Sequence, residues 1–203
     1  MIKRIIFDVD ETLLSTNYDC LQAYQEYFDS INVNIKAIKL YDLIGKYESD
    51  NGSFEKDDLE KYIQKHLYAN FNMNDMLKVY GNHGTLKDKN IINTLDYLSK
   101  KYDIVVLTNW YVDSQSNRLA KANIIKYINN VYGIENVGLK PLESTFKVAC
   151  DSYKPEECLM VGDLINIDIM VPVKLGMNVY YCGNEDNVNY PRIKDISELE
   201  ELL

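Results

Sequence analysis

Two carboxylates one residue apart, Asp8 and Asp10, close an apolar run in 5-IIFDVDETLL-14, with Glu11 and Thr12 directly behind them. Buried carboxylates are costly unless they are paired, hydrogen-bonded or bound to metal, so this placement points to chemistry. Three further polar clusters follow apolar runs or sit in loops: Thr108-Asn109 after IVVL, Lys140-Pro141, and Gly162-Asp163 with Asp168 after LMV. If those runs are parallel strands, the clusters meet at one sheet edge. Asp8, Asp10, Asp163 and Asp168 would then repel, by about 4 kcal/mol for a pair roughly 4 Å apart at an effective dielectric of about 20. Lys140 and a divalent cation resolve that conflict. Mg2+ fits best, because it takes hard oxygen ligands, needs only one or two carboxylates, and completes its shell with water and substrate phosphate.

The elements that must position these groups alternate in the manner of an α/β fold. Segments 2–7, 104–107, 158–161 and 179–182 are short, nearly continuous apolar runs, as buried parallel strands require, and a weaker strand is expected over 130–134. Helical spacing recurs over 90–99 and 113–125, and the acidic end SELEELL reads as a short amphipathic helix. Residues 15–83 differ: they offer helices over 18–31 and 56–67 around a turn-rich ESDNGSF stretch, with Ser53 as an expected N-cap, and no strand pair. The expected architecture is a Rossmann-like parallel sheet core, residues 1–14 and 84–203, with an inserted helical cap over 15–83 that sits above the carboxyl edge of the sheet.

Composition narrows the function classes. The chain has 203 residues, 46% hydrophobic and 26% charged, which is enough for a full core. A net charge of -9 argues against a nucleic acid polymer or an acidic membrane surface as partner. Cys20, Cys150, Cys158 and Cys182 show neither zinc spacing nor a disulfide framework, and no apolar segment reads as a signal peptide or membrane span, so a reducing cytoplasm is the expected location. Nothing in the sequence fixes an oligomeric state.

The ordered set DVDET, LTN, KP and VGD followed by Asp168 resembles the haloacid dehalogenase-like hydrolase superfamily, in its helical-cap phosphatase branch. The resemblance implies that Asp8 attacks phosphorus, Asp10 protonates the leaving oxygen and later activates water, and Thr12 braces the loop. It implies that Thr108 and Lys140, with Asn109 nearby, bind the phosphoryl oxygens. Mg2+ would be held by Asp8, Asp163 and the backbone of Asp10, with Asp168 either a further ligand or the residue that orients Lys140 or the metal's waters. A carboxylic acid at position 10 favours an oxygen leaving group over a halide, which needs no proton. The implied activity is a Mg-dependent phosphatase acting on a small phosphorylated metabolite. A sugar-phosphate mutase and a catalytically weak binding or regulatory member of the fold stay open as alternatives.

Several residues carry two readings. Trp110 is either a substrate contact or a packing anchor beneath the insertion, and Leu164, Ile167 and Val171-Pro172 depart from the family's common residues at those positions. Eight of the 17 tyrosines lie between Tyr18 and Tyr80, where packing is the ordinary role. His66 and His83 lack metal-ligand spacing and read as surface or capping residues, and Glu11 as a loop partner.

Overall fold

The computed structural model describes every residue except Ser53 and Asn187. The expected N-cap at Ser53 therefore lies outside the described residues. The chain runs β1 (Arg4–Phe7), then four helices α1 (Thr16–Ser30), α2 (Ala37–Asn51), α3 (Lys56–His66) and α4 (Met73–Gly81), before α5 (Ile91–Ser99) and β2 (Asp103–Leu107). It continues through α6 (Val112–Lys121), β3 (Asn130–Tyr132), α7 (Ile134–Val137), α8 (Glu143–Cys150), β4 (Cys158–Gly162), α9 (Met170–Lys174), β5 (Asn178–Tyr181) and α10 (Leu199–Leu202).

The strands form one parallel sheet in the order β3-β2-β1-β4-β5. Strict two-residue alternation explains why the strands read as continuous apolar runs. Ile5, Phe7, Ile104, Val106, Leu159 and Val161 face one way and pack on α5 and the C-terminal turn through Leu95, Leu98 and Leu199. Ile6, Val105, Leu107, Cys158 and Met160 face the other way and pack on Phe146 and Ala149 of α8. A sheet covered on both faces has no polar side to show.

The strand order reverses direction at β1, which lies between β2 and β4. Phe7 is in register with Val106 on one side and Val161 on the other, so the residues that follow all three strands leave the sheet at the same level. That is the crevice at which open α/β sheets bind ligands.

Helices α1 to α4 form their own apolar cluster around Phe28, Leu40, Leu59, Ile63 and Met76, joined by Trp110 and Tyr111 from the loop after β2. Both segments that link them to the sheet run side by side: Ser15 N–H donates to Thr85 O at 2.8 Å and Lys87 N–H to Leu13 O at 3.0 Å. Glu11, with φ 60°, clips this ribbon by accepting from Asn17 N–H at 2.9 Å and pairing with Lys87.

Some sequence expectations are corrected. Helix α2 was not expected and runs through Asn51 before Gly52, in the left-handed region at φ 59°, ends it, so most of ESDNGSF is helix rather than turn. Helix α4 was also unexpected. Helix α3 begins at Lys56 with Glu55 at its cap position. Helix α6 stops at Lys121, with Asn123 in the left-handed region at φ 60°, four residues short of the expected end at 125.

Leu95 is fully buried between α5 and the sheet, so Leu95→Ala should lower unfolding stability by about 2–5 kcal/mol in urea titrations.

Candidate active site

Lys140 is the centre of one charge cluster. Its ammonium, 4% exposed as a residue, donates to Asp8 Oδ1 at 2.5 Å and to Asp168 Oδ1 at 2.7 Å. Burial alone would lower the Lys140 ammonium, but Asp168 and Asp8 more than offset it and hold it protonated above its ordinary value. Asn109 fixes the loop that delivers it: Lys140 N–H donates to Asn109 Oδ1 at 2.7 Å, and Asn109 Nδ2 donates to Lys140 O at 3.1 Å.

Asp168 reaches this point from a single π-helical turn, Ile165–Ile169, that precedes α9. Its other oxygen accepts from Leu164 N–H at 3.1 Å. Gly162 makes room for it, since a Cβ there would stand 2.5 Å from Asp168 Cβ and Cγ. With both oxygens engaged, Asp168 is placed to orient Lys140.

Asp163 is left without a cation of its own. Burial, followed by repulsion from Asp168, pushes its carboxyl up to about 7. Carboxylate oxygens of Asp8, Asp163 and Asp168 lie within 4.8 Å of one another. Three hard oxygen donors around one lysine are an arrangement that a divalent cation would balance, and this fits Mg2+.

Asp10 belongs to a second cluster that the sequence did not reveal. Arg118, from the middle of α6 and fully buried, donates through Nη1 to Asp10 Oδ1 at 2.7 Å and through Nη2 to Asp19 Oδ2 at 3.2 Å. Asp10 Oδ1 also accepts from Thr16 Oγ1 at 2.5 Å, while Oδ2 accepts from Gln115 Nε2 at 2.6 Å and Thr108 Oγ1 at 3.3 Å. Two cations, rather than Lys140 and metal alone, hold the aspartates together.

Arg118 further donates to Thr16 Oγ1 at 3.0 Å and, through Nε, to His83 O at 3.1 Å, and its guanidinium lies 4.3 Å from the Tyr80 ring centroid. One side chain thus touches β1's loop, α1 and the returning segment. Gly84 permits that segment's close pass, because a Cβ there would come within 2.2 Å of Arg118 O. The signal that could find Arg118 and Gln115 is their i, i+3 spacing on α6 just after LTN, but polar residues in a stretch such as VDSQSNRLAK ordinarily form a solvated face.

The remaining sequence candidates fall as follows. Thr108 is fully buried, and its hydroxyl is engaged with Asp10 and with Gln115 Nε2 at 2.9 Å rather than open to the cavity. Thr12 is buried on the other side of the loop, where Cys182 Sγ lies 3.8 Å from its hydroxyl. Trp110 packs edge-on against Phe54, Tyr80 and Tyr111, as a packing anchor would, and it also lines a cavity of about 300 Å³ with Asp8, Asp10, Lys140 and Asp163. His66 bonds Tyr62 O through Nδ1 at 2.8 Å, His83 lies 2.8 Å from Glu26, and neither lines the cavity.

Residues 2–176 match the family model described as haloacid dehalogenase-like hydrolase. The chain belongs to the haloacid dehalogenase-like hydrolases. It is 25% identical, over 233 aligned positions covering both chains in full, to the glyceraldehyde 3-phosphate phosphatase of Methanothermobacter thermautotrophicus. Its fold is similar to that of the putative HAD-hydrolase YfnB from Bacillus subtilis, bound to magnesium, with TM-score 0.81 and 16% identity over 100% of this chain and 98% of that one. A 2-haloacid dehalogenase from Pseudomonas syringae pv. Tomato gives TM-score 0.77 and 19% identity, again over 100% and 98%. No helix among the described residues is long and apolar enough to cross a membrane.

Arg118→Met should leave the buried Asp19 and the half-buried Asp10 without their cation, lowering unfolding stability by about 3–5 kcal/mol in urea titrations. Asp163 gives a pH signature. Its folded value lies above the unfolded one, near 4, so the stability it contributes is full below about pH 4 and lost as pH rises through about 7. In chelator, Asp163→Asn should flatten the fall in melting temperature between about pH 4 and 7, and added divalent cation should stabilise the wild type more at the upper end.

Proposed function

We propose that this hydrolase is a Mg-dependent phosphatase that cleaves a small phosphomonoester through an aspartyl-phosphate on Asp8. The observation that carries the reading is the pairing of a buried carboxylate held by Lys140 with a second carboxylate two residues on, Asp10, fixed by four donors. The glyceraldehyde 3-phosphate phosphatase relative supports it. A Mg2+ held by Asp8, Asp163 and the backbone of Asp10 would neutralise charge on the phosphoryl oxygens.

Asp8 attacks phosphorus as the bond to the leaving oxygen breaks, and Asp10 gives that oxygen its proton. Water then attacks phosphorus, Asp10 takes the water's proton, and the bond to Asp8 breaks to release phosphate. Asp10 must therefore alternate between protonated and bare. Thr108 suits that alternation, because its hydroxyl donates to a bare Asp10 and accepts from a protonated one while Gln115 keeps it in place. Lys140 stays protonated beside the entering phosphoryl group and stabilises charge there.

In the same reading residues 15–83 act as a cap on the core 1–14 and 84–203, hinged at the paired ribbon of residues 13–16 and 85–87 and closing over the cavity to exclude water. The acid at position 10 favours this over the halide chemistry of the dehalogenase neighbour.

The test measures phosphate release from 4-nitrophenyl phosphate and from alkyl phosphates with Mg2+ and with chelator. Chelator should abolish release, and Asp8→Asn should lose about a thousandfold or more in kcat. Asp10→Asn should lose about 10²–10⁴-fold on alkyl esters and far less on the aryl ester, whose leaving group needs no proton. Full activity in Asp8→Asn would sink the nucleophile assignment, and isomerised sugar phosphate in place of free phosphate would point to a mutase.

A further inference from the structure

The cavity that holds the reacting carboxylates is acidic and aromatic beyond them. Tyr24, Tyr41, Phe54, Tyr80 and Trp110 supply rings, and Ile44 adds an aliphatic wall. Lys140 is the one cation among its described lining residues, and Asp8 and Asp168 already engage it. Arg118 stands behind Asp10, wholly buried and engaged with Asp10 and Asp19, and does not line the cavity.

The far wall carries Glu48, near the end of α2, which lines both this cavity and the wider cleft outside it. Glu48 is exposed to solvent and forms no ion pair among the described residues, and partial desolvation raises its carboxyl above the ordinary value. The outer cleft does bring Lys56 and Lys61, but with Glu55, Asp57, Asp58 and Glu135 beside them. Acids outnumber bases along the whole path to the reacting carboxylates.

We infer that this cavity selects phosphomonoesters whose leaving alcohol carries no negative charge, an uncharged polyol or an amino alcohol, and rejects those bearing a carboxylate or a second phosphate. The inference rests on the phosphatase reading for the orientation of the ester, with its phosphoryl group at Asp8 and Lys140. The alcohol then faces rings, which take carbon skeletons and cationic groups well, and Glu48, which accepts hydrogen bonds from hydroxyl or ammonium groups. A carboxylate placed there would meet Glu48 and Asp10 with Lys140, the cation of the described lining, already engaged by Asp8 and Asp168, and like charges brought together are disfavoured.

Two matched pairs isolate the charge: glycerol 3-phosphate against 3-phosphoglycerate, and phosphoethanolamine against phosphoglycolate. Dissociation constants are measured by calorimetry with Mg2+ on Asp8→Asn, and kcat/KM on the wild type with 4-nitrophenyl phosphate as reference. In each pair the member without the carboxylate should bind at least tenfold more tightly. Glu48→Lys should move both ratios at least tenfold toward the carboxylate member. Equal or reversed ratios in the parent protein, or ratios that Glu48→Lys does not move, would overturn the inference. If no ester, aryl phosphate included, releases phosphate, the phosphatase reading fails, and the binding ratios still decide the selectivity.

Discussion

Two buried cations make the carboxyl edge of this sheet possible. Lys140 joins Asp8 to Asp168, and Arg118 joins Asp10 to Asp19. Each replaces a repulsion between aspartates by a shared partner, which is what allows four of them to be gathered in a low-dielectric crevice at all. The strand register brings the residues to one level, but register alone would bring only a conflict. Asp163, left over, has its carboxyl pushed up to about 7 by burial and then by repulsion from Asp168.

The two pairs are organised differently. Lys140 draws on elements within the α/β core alone: the loop after β1, the loop that Asn109 clamps, and the π turn whose Asp168 crosses Gly162. Arg118 reaches outward. Its contacts with Thr16 and Asp19 belong to α1, and that with His83 O to the segment that returns from the inserted helices. On the proposed mechanism the nucleophile is held within the α/β core, and the acid where the cap joins it.

The chemistry was legible in the sequence where it follows strands. Asp8, Asp10, Lys140, Asp163 and Asp168 stand at or beyond the ends of apolar runs, and parallel topology forces such positions together. Gln115, Arg118 and Asp19 were not legible because they lie inside helices, where polar residues in an amphipathic pattern ordinarily face water. They are buried where α4 packs against both α1 and α6. Helix α2 escaped for a local reason: Ala37, Leu40, Ile44 and Tyr47 keep helical spacing, but Gly45 and the polar tail before Gly52 read as punctuation. Tertiary burial overrode that weak propensity, as it did for α4 with Met73, Met76 and Tyr80.

The ribbon at residues 13–16 and 85–87 has a consequence for how such a molecule can change. Because the chain leaves and returns through two adjacent, hydrogen-bonded segments, the sheet experiences the residues between them as a short closed loop, whatever their length or fold. A different insert could be spliced at that point without altering β1 or its register. Arg118 sets the condition for such an exchange: any replacement must bring its own carboxylate to the place of Asp19, or α6 must give up its arginine. The module is thus free in length and shape, but it is tethered to the core by one charge.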